Sequence, residues 1–278
     1  MKAITLPDEL NLSSSKSIQV FDYRSSREIS RQQIILNQNT FSFLIEGAKE
    51  VVFDSSTISI DNSSFLIMKS GHCLMTERLS EVKNYRSVLL FFTNDMIQRF
   101  IHKNQLSSVK APTYRSVFSF SSDDFIRRFV DSLLDISRLS SEAQRRLLEV
   151  KFDEIMLYLI AIFGVEFLRS FMENSDDSSQ KFRRTIESNQ LVKLTIKELA
   201  FLCNMSVSTF KREFNNLYSD SPIRWFQNKR LEHAHYLINT EKKTSTEIYL
   251  EAGYESLSSF IQAYKSKYGT TPKQQHRN

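Results

Sequence analysis

Polar and basic side chains stand at two places in the last hundred residues of the chain. Hydroxyl and amide groups can hydrogen-bond to the edges of bases, and lysine and arginine can bind phosphates. Arg212 could bridge the two edge acceptors of guanine, and Gln262 could bridge the two edge groups of adenine. The chemistry predicts a surface for DNA. Its candidate residues are Ser206, Ser208, Thr209, Lys211, Arg212, Asn215, Ser256, Leu257, Ser258, Ser259, Gln262 and Lys265.

The residues around these side chains form a repeated frame. Apolar members at spacings of four and three would face a helix core, and Asn204 and Gly253 would form the preceding turns. Each copy therefore predicts a helix-turn-helix, a unit that reads the DNA major groove. Two copies in one chain can read two grooves without dimerisation. The recurring residues are Ser208, Phe210, Phe214, Tyr218 and Pro222, followed fifty positions later by Ser258, Phe260, Tyr264, Tyr268 and Pro272.

We expect a connecting helix between the two copies. Ser221 precedes Pro222, and proline is well suited to the first turn of a helix because no N–H is missed there. A rigid connector would fix the distance between the two reading helices. His233 and His235 lie on this helix two residues apart and do not share a face, so we interpret them as solvent or linker residues.

The charge of the chain is unevenly distributed. Residues 181–278 contain 16 Lys and Arg against 9 Asp and Glu, whereas residues 1–180 contain 21 against 23. A basic segment that carries paired recognition motifs favours a polyanionic partner such as double-stranded DNA.

The first ninety residues indicate β-structure, because short runs rich in β-branched and aromatic residues alternate with turn formers. Strands this closely spaced favour a small barrel or sandwich. We expect an α+β protein with a β-barrel at about 17–93 and flanking helices at about 94–172. Together these form a regulatory or dimerisation domain at 1–172. A polar linker at 173–180 would then lead to an all-α DNA-binding domain at 181–278.

A long helix is predicted from Ser140 or Ser141, and it carries an apolar stripe with coiled-coil-like spacing. Two interpretations stay open. The stripe packs on the barrel, or it pairs with a second copy of the chain, and both can hold together. The stripe residues are Leu148, Phe152, Ile155, Leu159 and Ile162.

An apolar barrel could hold a small effector molecule. The alternative, which we prefer, is that the same side chains fill the core, as they can in a small barrel. The candidate pocket residues are Phe41, Phe43, Phe65, Ile67, Phe91 and Phe92.

Several classes of protein are disfavoured. No apolar run approaches membrane-spanning length, and the start of the chain lacks the apolar core of a signal peptide. Cys73 and Cys203 are interpreted as buried, reduced thiols of a cytoplasmic protein. His72 and His102 have no partner at metal-ligand spacing, so we expect no metal, no cofactor and no enzymatic activity.

The C-terminal residues strongly resemble the AraC/XylS family of transcription regulators. The resemblance covers roughly Val192 to Gln274, and the stretch from Ile248 to Pro272 carries most of the family signature. It implies DNA-facing positions at Ser208, Thr209, Lys211 and Arg212 in the first unit and at Leu257, Ser258, Ser259 and Gln262 in the second. One departure is Tyr249, because the family usually has Ala four residues before the turn Gly. A bulky Tyr there could splay the second helix pair or rotate outward.

The front domain more loosely resembles the cupin-like regulatory domains of this family. The stretches Phe43–Gly47 and Ser64–Gly71 look most like virulence and type III secretion activators, which are often controlled by a partner protein or a fatty acid. The resemblance implies a sequence-specific transcription regulator, with activation through RNA polymerase favoured over repression. A regulator without a small-molecule ligand and a nonspecific DNA-binding or protein-interaction module remain alternatives.

Overall fold

A computed structural model describes residues 2–106, 114–168 and 178–275. The chain divides into two compact units, residues 1–185 and 186–278. Of the linker expected at 173–180, residues 173–177 lie outside the described part, and Ser178 begins a helix. None of the helices that the structure describes is long and apolar enough to cross a membrane.

The N-terminal unit is built on two five-stranded sheets. The first has the order β1-β3-β8-β5-β6 and the second the order β10-β7-β4-β9-β2. The α+β class is confirmed, but the described strands do not close into one barrel. The strands are β1 (Ile4–Leu6), β2 (Ile18–Ser25), β3 (Ile29–Leu36), β4 (Asn39–Glu46), β5 (Ala48–Val52), β6 (Thr57–Ile60), β7 (Ser64–Met68), β8 (Gly71–Arg78), β9 (Tyr85–Phe92) and β10 (Val117–Ser121).

The second sheet is buried on both of its faces. Nearly every residue of β4 and β9 is buried, whereas a sheet with one wet face would alternate. One face packs toward the first sheet and the other is covered by helices, so the unit has three layers. The helices are α1 (Asn94–Lys103), α2 (Asp124–Ile136) and α3 (Ser141–Phe163).

The apolar stripe on α3 packs inside its own chain. Leu148, Phe152, Ile155 and Leu159 are all buried, and the ring of Phe152 lies 5.0 Å from that of Phe92 on β9. Ile162, the last member of the stripe, is 58% exposed. The packing interpretation therefore describes four of the five residues. In this structure those four are not available to a second chain.

The C-terminal unit is helical. In the front unit, a short 3-10 turn at Asp8–Leu10 lies between β1 and β2. After α3, every element that the structure describes is a helix. The division between the units falls within the first of these helices. They are α4 (Ser178–Ser188), α5 (Ile196–Leu202), α6 (Val207–Tyr218), α7 (Pro222–Thr240), α8 (Ser245–Ile248), α9 (Leu257–Tyr268) and α10 (Pro272–Gln275).

Helix α7 is the connector that the sequence predicts. Ser221 caps it by accepting a hydrogen bond from the backbone N–H of Arg224, and Pro222 occupies its first turn. Leu231, Ala234 and Leu237 are buried along its length and pack in one cluster with residues of α8 and α9. The connector is thus part of the core of the second helix-turn-helix unit.

The interpretation of His235 as a solvent or linker residue is wrong. Its Nδ1 lies 2.6 Å from the hydroxyl of Tyr264, and its ring stacks on Tyr268 with centroids 4.2 Å apart. His233, on the other face, lies 3.5 Å from Glu251. The two histidines do occupy different faces, but one of those faces meets α9. Cys73 and Cys203 are buried and are not joined in a disulfide, as predicted.

Candidate nucleic-acid interface

The first helix-turn-helix is fixed by hydrogen bonds at each helix start. Thr195 and Glu198 form a reciprocal capping box at α5. The chain then turns at Asn204, whose φ of 54° lies in the left-handed region that Asn tolerates. Ser206 caps α6, because its hydroxyl accepts a hydrogen bond from the backbone N–H of Thr209 over 3.1 Å. The turn therefore sets both the start and the direction of α6.

Two phenylalanines hold α6 against the core. Phe210 and Phe214 are fully buried, and the Phe214 ring lies 5.7 Å from Trp225 and 5.9 Å from Phe226 on α7. Because these rings define the inner face, the remaining positions of the helix point outward. Five of the six predicted residues are exposed and Thr209 is partly buried. The exposed residues are Ser206, Ser208, Lys211, Arg212 and Asn215.

The second unit repeats this construction. Thr244 and Glu247 form a capping box at α8, and Ser256 caps α9 by accepting a hydrogen bond from the backbone N–H of Ser259. The turn residue Gly253 has a φ of 82°, and a Cβ there would lie 2.9 Å from Nε of Arg230. Glycine is needed here both for its conformation and for the close approach of Arg230.

Helix α9 presents a comparable outer face. Phe260 and Tyr264 are buried, which turns four of the six predicted residues to solvent. Ser256 and Leu257 are partly buried, and Leu257 packs against the core of the unit. Leu257 is therefore partly a packing residue. The exposed residues are Ser258, Ser259, Gln262 and Lys265.

The duplicated frame is preserved in the three-dimensional structure. Helices α6 and α9 both have 12 residues, both follow a serine cap, and both end in a left-handed residue. Each is followed by a helix that begins with proline. The turns differ in length by one residue. Ser206 comes two positions after Asn204, whereas Ser256 comes three positions after Gly253.

The outer faces of the two helices differ in charge. Lys211 and Arg212 on α6 correspond, fifty residues later, to Ile261 and Gln262 on α9. The Arg212 guanidinium is 69% exposed and lies 3.2 Å from the carboxylate of its neighbour Glu213. This exposed ion pair is weak, so Arg212 can exchange it for another anion. The ion pair between Arg212 and Glu213 could not be predicted from the sequence repeat.

Lys267 has a structural role that the sequence did not reveal. Its ammonium group donates a hydrogen bond to the backbone oxygen of Asn228 and lies 3.1 Å from Glu232, both on α7. Lys265, two residues earlier, is exposed and makes no ion pair with any residue that the structure describes. Of these two lysines on α9, Lys265 is the one free to meet a phosphate. The signal that separates them is the distance to α7, which depends on the tertiary fold.

Of the two outcomes considered for Tyr249, outward rotation is not what the structure shows. It is partly buried and packs against the cluster formed by α7, α8 and α9. Helix α8 ends at Ile248, and the backbone oxygen of Tyr249 accepts a hydrogen bond from the N–H of Tyr254. Helix α8 has four residues where α5, its counterpart in the first unit, has seven.

Two family models match the chain in succession. The ExsA N-terminal regulatory domain matches residues 39–168, and a helix-turn-helix domain matches residues 199–278. The chain belongs to the AraC family. The match of residues 39–168 to the ExsA regulatory domain confirms the subgroup that the front domain resembled.

Curated relatives of this AraC-family chain include two named regulators. The virulence regulon transcriptional activator VirF of Yersinia enterocolitica is 30% identical over 129 residues, which cover 46% of this chain and 48% of VirF. The regulator ExsA of Pseudomonas aeruginosa is 27% identical over 124 residues, 44% of this chain and 45% of ExsA. The chain thus spans about half the length of the curated relatives it matches.

A solved structure of an apo ToxT variant from Vibrio cholerae covers 94% of this AraC-family chain and 97% of its own chain. The TM-score is 0.45 and the sequence identity is 12%. These values are too low to transfer any property of ToxT.

The six candidate pocket residues of this AraC-family chain are packed in the core, which is the alternative that we preferred from the sequence. All six predicted residues are buried, and five of them belong to the cluster between the second sheet and its helices. Phe43, for example, lies 5.7 Å from Phe129 on α2. Side chains alternate along a strand, so Phe91 faces the opposite side from Phe92. None of the six lines the cavity that lies between the two sheets.

No metal centre is evident in the AraC-family chain within residues 2–106, 114–168 and 178–275. Those residues contain no group of three or more His, Cys, Asp and Glu side chains that could hold an ion. His72 is partly buried on β8, and burial, followed by the positive charge of Lys181, lowers its pKa.

Proposed function

We propose that the chain is a sequence-specific DNA-binding transcription regulator that reads two successive stretches of the major groove with α6 and α9. The observation that carries this proposal is the duplicated frame. Two serine-capped helices of equal length bury aromatic residues at the same positions and expose polar side chains from the same face. Stability of the fold alone does not require the same polar face to be exposed on both α6 and α9.

The exposed residues are suited to the two tasks of DNA recognition. Ser208 is a short donor and acceptor in the first turn of α6. Arg212 and Gln262, each the sixth residue of its helix, carry planar groups that can reach base edges. Lys211 and Lys265 are cations that can bind phosphates and so fix the register. We assign Arg212 to a guanine and Gln262 to an adenine.

We assign the roles of the domains as the family resemblance implies. Residues 1–172 would form the regulatory domain, 173–180 the linker and 181–278 the DNA-binding domain. The relative VirF is named a transcriptional activator, and activation is accordingly the direction we propose here. Activation would require contact with RNA polymerase, and the site of action would be the cytoplasm.

Two other possibilities have specific support. A regulator controlled only by a partner protein is favoured by the packed aromatic cluster of the front unit. A nonspecific DNA-binding module is favoured by the basic charge of residues 181–278 alone. The two differ from the main proposal in measurable ways.

The decisive experiment is selection of bound sequences from random DNA duplexes by the full-length protein. We expect an enriched motif with two parts, one for each helix. Arg212→Ala should weaken binding by about 1–3 kcal/mol and relax the preference at one position of the first part. Gln262→Ala should do the same in the second part.

Arg138→Ala is the matched control. It removes the same charge from an exposed site in the front unit, where Arg138 is 78% exposed, and should leave the motif unchanged. Failure to enrich any motif, together with salt-dependent binding to all duplexes, would establish the nonspecific alternative. An unchanged motif in Arg212→Ala would remove the base-reading role of that residue.

A further inference from the structure

Helix α7 holds the turn of the second helix-turn-helix with two polar side chains. Arg230 donates a hydrogen bond from Nε to the backbone oxygen of Ala252 over 3.2 Å. Gln227, one turn earlier, donates a hydrogen bond of 3.1 Å from its amide to the hydroxyl of Tyr254. Ala252 and Tyr254 stand on either side of the turn residue Gly253. Both ends of this turn are therefore bound to α7.

Arg230 also packs directly on the backbone of the turn. A Cβ at Gly253 would lie 2.9 Å from Nε and 3.2 Å from Cδ of Arg230. Ala252 is only 4% exposed, and a buried backbone oxygen needs a hydrogen-bond donor. Arg230 supplies that donor, so the arginine and the turn fit each other in both shape and hydrogen bonding.

The surroundings of Arg230 differ from those of a residue that binds phosphate. Arg230 is partly buried, and burial lowers the pKa of its guanidinium, which still remains charged. A cation that binds DNA phosphates has to be exposed, as Lys211 and Lys265 are. The position of Arg230 therefore indicates a role within the C-terminal unit and not a contact with the duplex.

The same part of α7 also holds the first recognition helix. The rings of Trp225 and Phe226 lie 5.7 Å and 5.9 Å from the ring of Phe214 on α6. Residues 225–230 span only about 8 Å along the helix axis. A short stretch of one helix thus contacts both α6 and the turn that leads into α9.

Such a junction would restrict the distance between the two parts of a recognised DNA site. B-DNA repeats every 10–10.5 base pairs over about 34–36 Å, so one added base pair moves the second part by about 3.4 Å and turns it by about 35°. Helix α9 can follow this shift only if the turn before it moves relative to α7. The hydrogen bonds from Arg230 and Gln227 oppose that movement.

We propose that Arg230, supported by Gln227, is a positioning residue that restricts the protein to one spacing between the two parts of its DNA site. It does so by fixing the turn before α9 to the segment of α7 that also holds α6. This inference rests on the proposed function, because it requires that α6 and α9 each read one part of the site.

The test is a binding assay on duplexes that carry the selected motif with its two parts at the selected spacing, one base pair closer, or one base pair further apart. We expect the unchanged chain to bind the selected spacing at least about tenfold more tightly than the others, because a shift costs the base contacts of one part. Arg230→Met removes the hydrogen bond to Ala252 and should reduce this preference about fivefold, as the loss of one net hydrogen bond predicts. A loss of stability alone would weaken binding at every spacing by the same factor.

Two milder variants test the second hydrogen bond. Gln227→Leu and Tyr254→Phe each remove the bond between these two side chains, and Tyr254→Phe keeps the ring that packs on Phe260. Both should relax the spacing preference, and the double variant should match the single ones because all three lose the same bond. Arg224→Met is the matched control. It removes an exposed arginine from the same helix and should leave the spacing preference unchanged.

Two results would overturn the proposal. These are an unchanged spacing preference in Arg230→Met, and equal binding of all three spacings by the unchanged chain. If Arg230→Met fails to fold, Gln227→Leu and Tyr254→Phe decide the question by the same measurement. Failure of the unchanged chain to enrich any motif would contradict the proposed function, and this inference with it, so the two failures are distinguishable.

Discussion

His235 on α7 and Tyr264 on α9 are joined by a hydrogen bond of 2.6 Å between Nδ1 and the phenolic oxygen. The other ring nitrogen of His235 lies 2.8 Å from Nδ2 of Asn239, whose Oδ1 accepts a hydrogen bond from Gln275. Because the Asn239 amide nitrogen can only donate, Nε2 of His235 accepts in this arrangement. The proton therefore resides on Nδ1, which donates to Tyr264.

This chain of hydrogen bonds predicts the effect of His235→Phe. The ring can still stack on Tyr268, but the Tyr264 hydroxyl and the Asn239 amide lose their partner. We expect the free energy of unfolding of the C-terminal unit to fall by about 1–3 kcal/mol, measured by urea denaturation followed through Trp225 fluorescence. Tyr236→Phe, at the adjacent half-exposed position, should have little effect. An unchanged denaturation midpoint for His235→Phe would show that the network contributes nothing.

Substitutions of Ser206 should separate capping from DNA contact. Ser206→Ala removes the acceptor for the Thr209 N–H and should cost about 1 kcal/mol of stability. Ser206→Asp keeps a capping oxygen and should preserve stability, but its negative charge would repel phosphate. We expect Ser206→Asp to bind DNA more weakly than Ser206→Ala does, measured by fluorescence anisotropy. Equal DNA affinity of the two variants would place Ser206 away from the backbone of the duplex.

Helix α3 offers a direct test of the predicted pairing stripe. Ile155 is fully buried, so Ile155→Glu should prevent folding of the front unit, because it places an unpaired charge in the core. Leu157 is 50% exposed on another face of the helix, and Leu157→Glu should fold normally. Sedimentation velocity of both variants checks this. A soluble, folded, monomeric Ile155→Glu protein would instead identify the stripe as an interface between chains.

The pair formed by Asp22 and Arg86 predicts a dependence of stability on pH. Burial alone would raise the pKa of Asp22, but hydrogen bonds from Arg86 and Arg24 outweigh it and hold the pKa below its ordinary value. A carboxyl with a lowered pKa stabilises the fold above the unfolded pKa and loses that contribution as the pH falls through the folded pKa. Asp22→Asn should therefore reduce stability by up to about 1 kcal/mol at neutral pH.

The difference between Asp22→Asn and the unchanged chain should shrink as the pH falls below about 4. Urea denaturation of both proteins, at neutral pH and below about pH 4, measures this difference in stability. Asp124→Asn, at a side chain that is 77% exposed, serves as the control and should be neutral throughout. A difference that persists in acid would mean that the carboxylate charge is not the cause.

The helix-turn-helix units could be predicted because their signals are local. Phe210 and Phe214 are four residues apart on one helix, and the serine that caps α6 lies four residues before Phe210. Such patterns fix the inner and outer faces without knowledge of the rest of the fold. The outward orientation of Arg212 and Gln262 follows directly.

The contacts made over long distances in the chain could not be predicted in this way. Period-two alternation separates Phe91 from Phe92, but it does not tell which face meets α3 and which meets the other sheet. The core position of His235 depends on Tyr264, 29 residues further along. The buried ion pair of Lys49 and Glu77 could not be predicted either, because the two residues come from different strands and meet only once the sheet is assembled.

The head-to-tail duplication gives the proposed recognition surface a polarity. Helix α6 offers two cations where α9 offers an isoleucine and an amide, so a single copy of the chain would recognise a site with two unlike halves. Such a site differs from its own reverse complement, whereas a palindromic site is identical to its reverse complement. If the site were inverted beside a promoter, the bound protein would face the opposite direction along the DNA. The orientation of the site would then matter as much as its distance from the start of transcription.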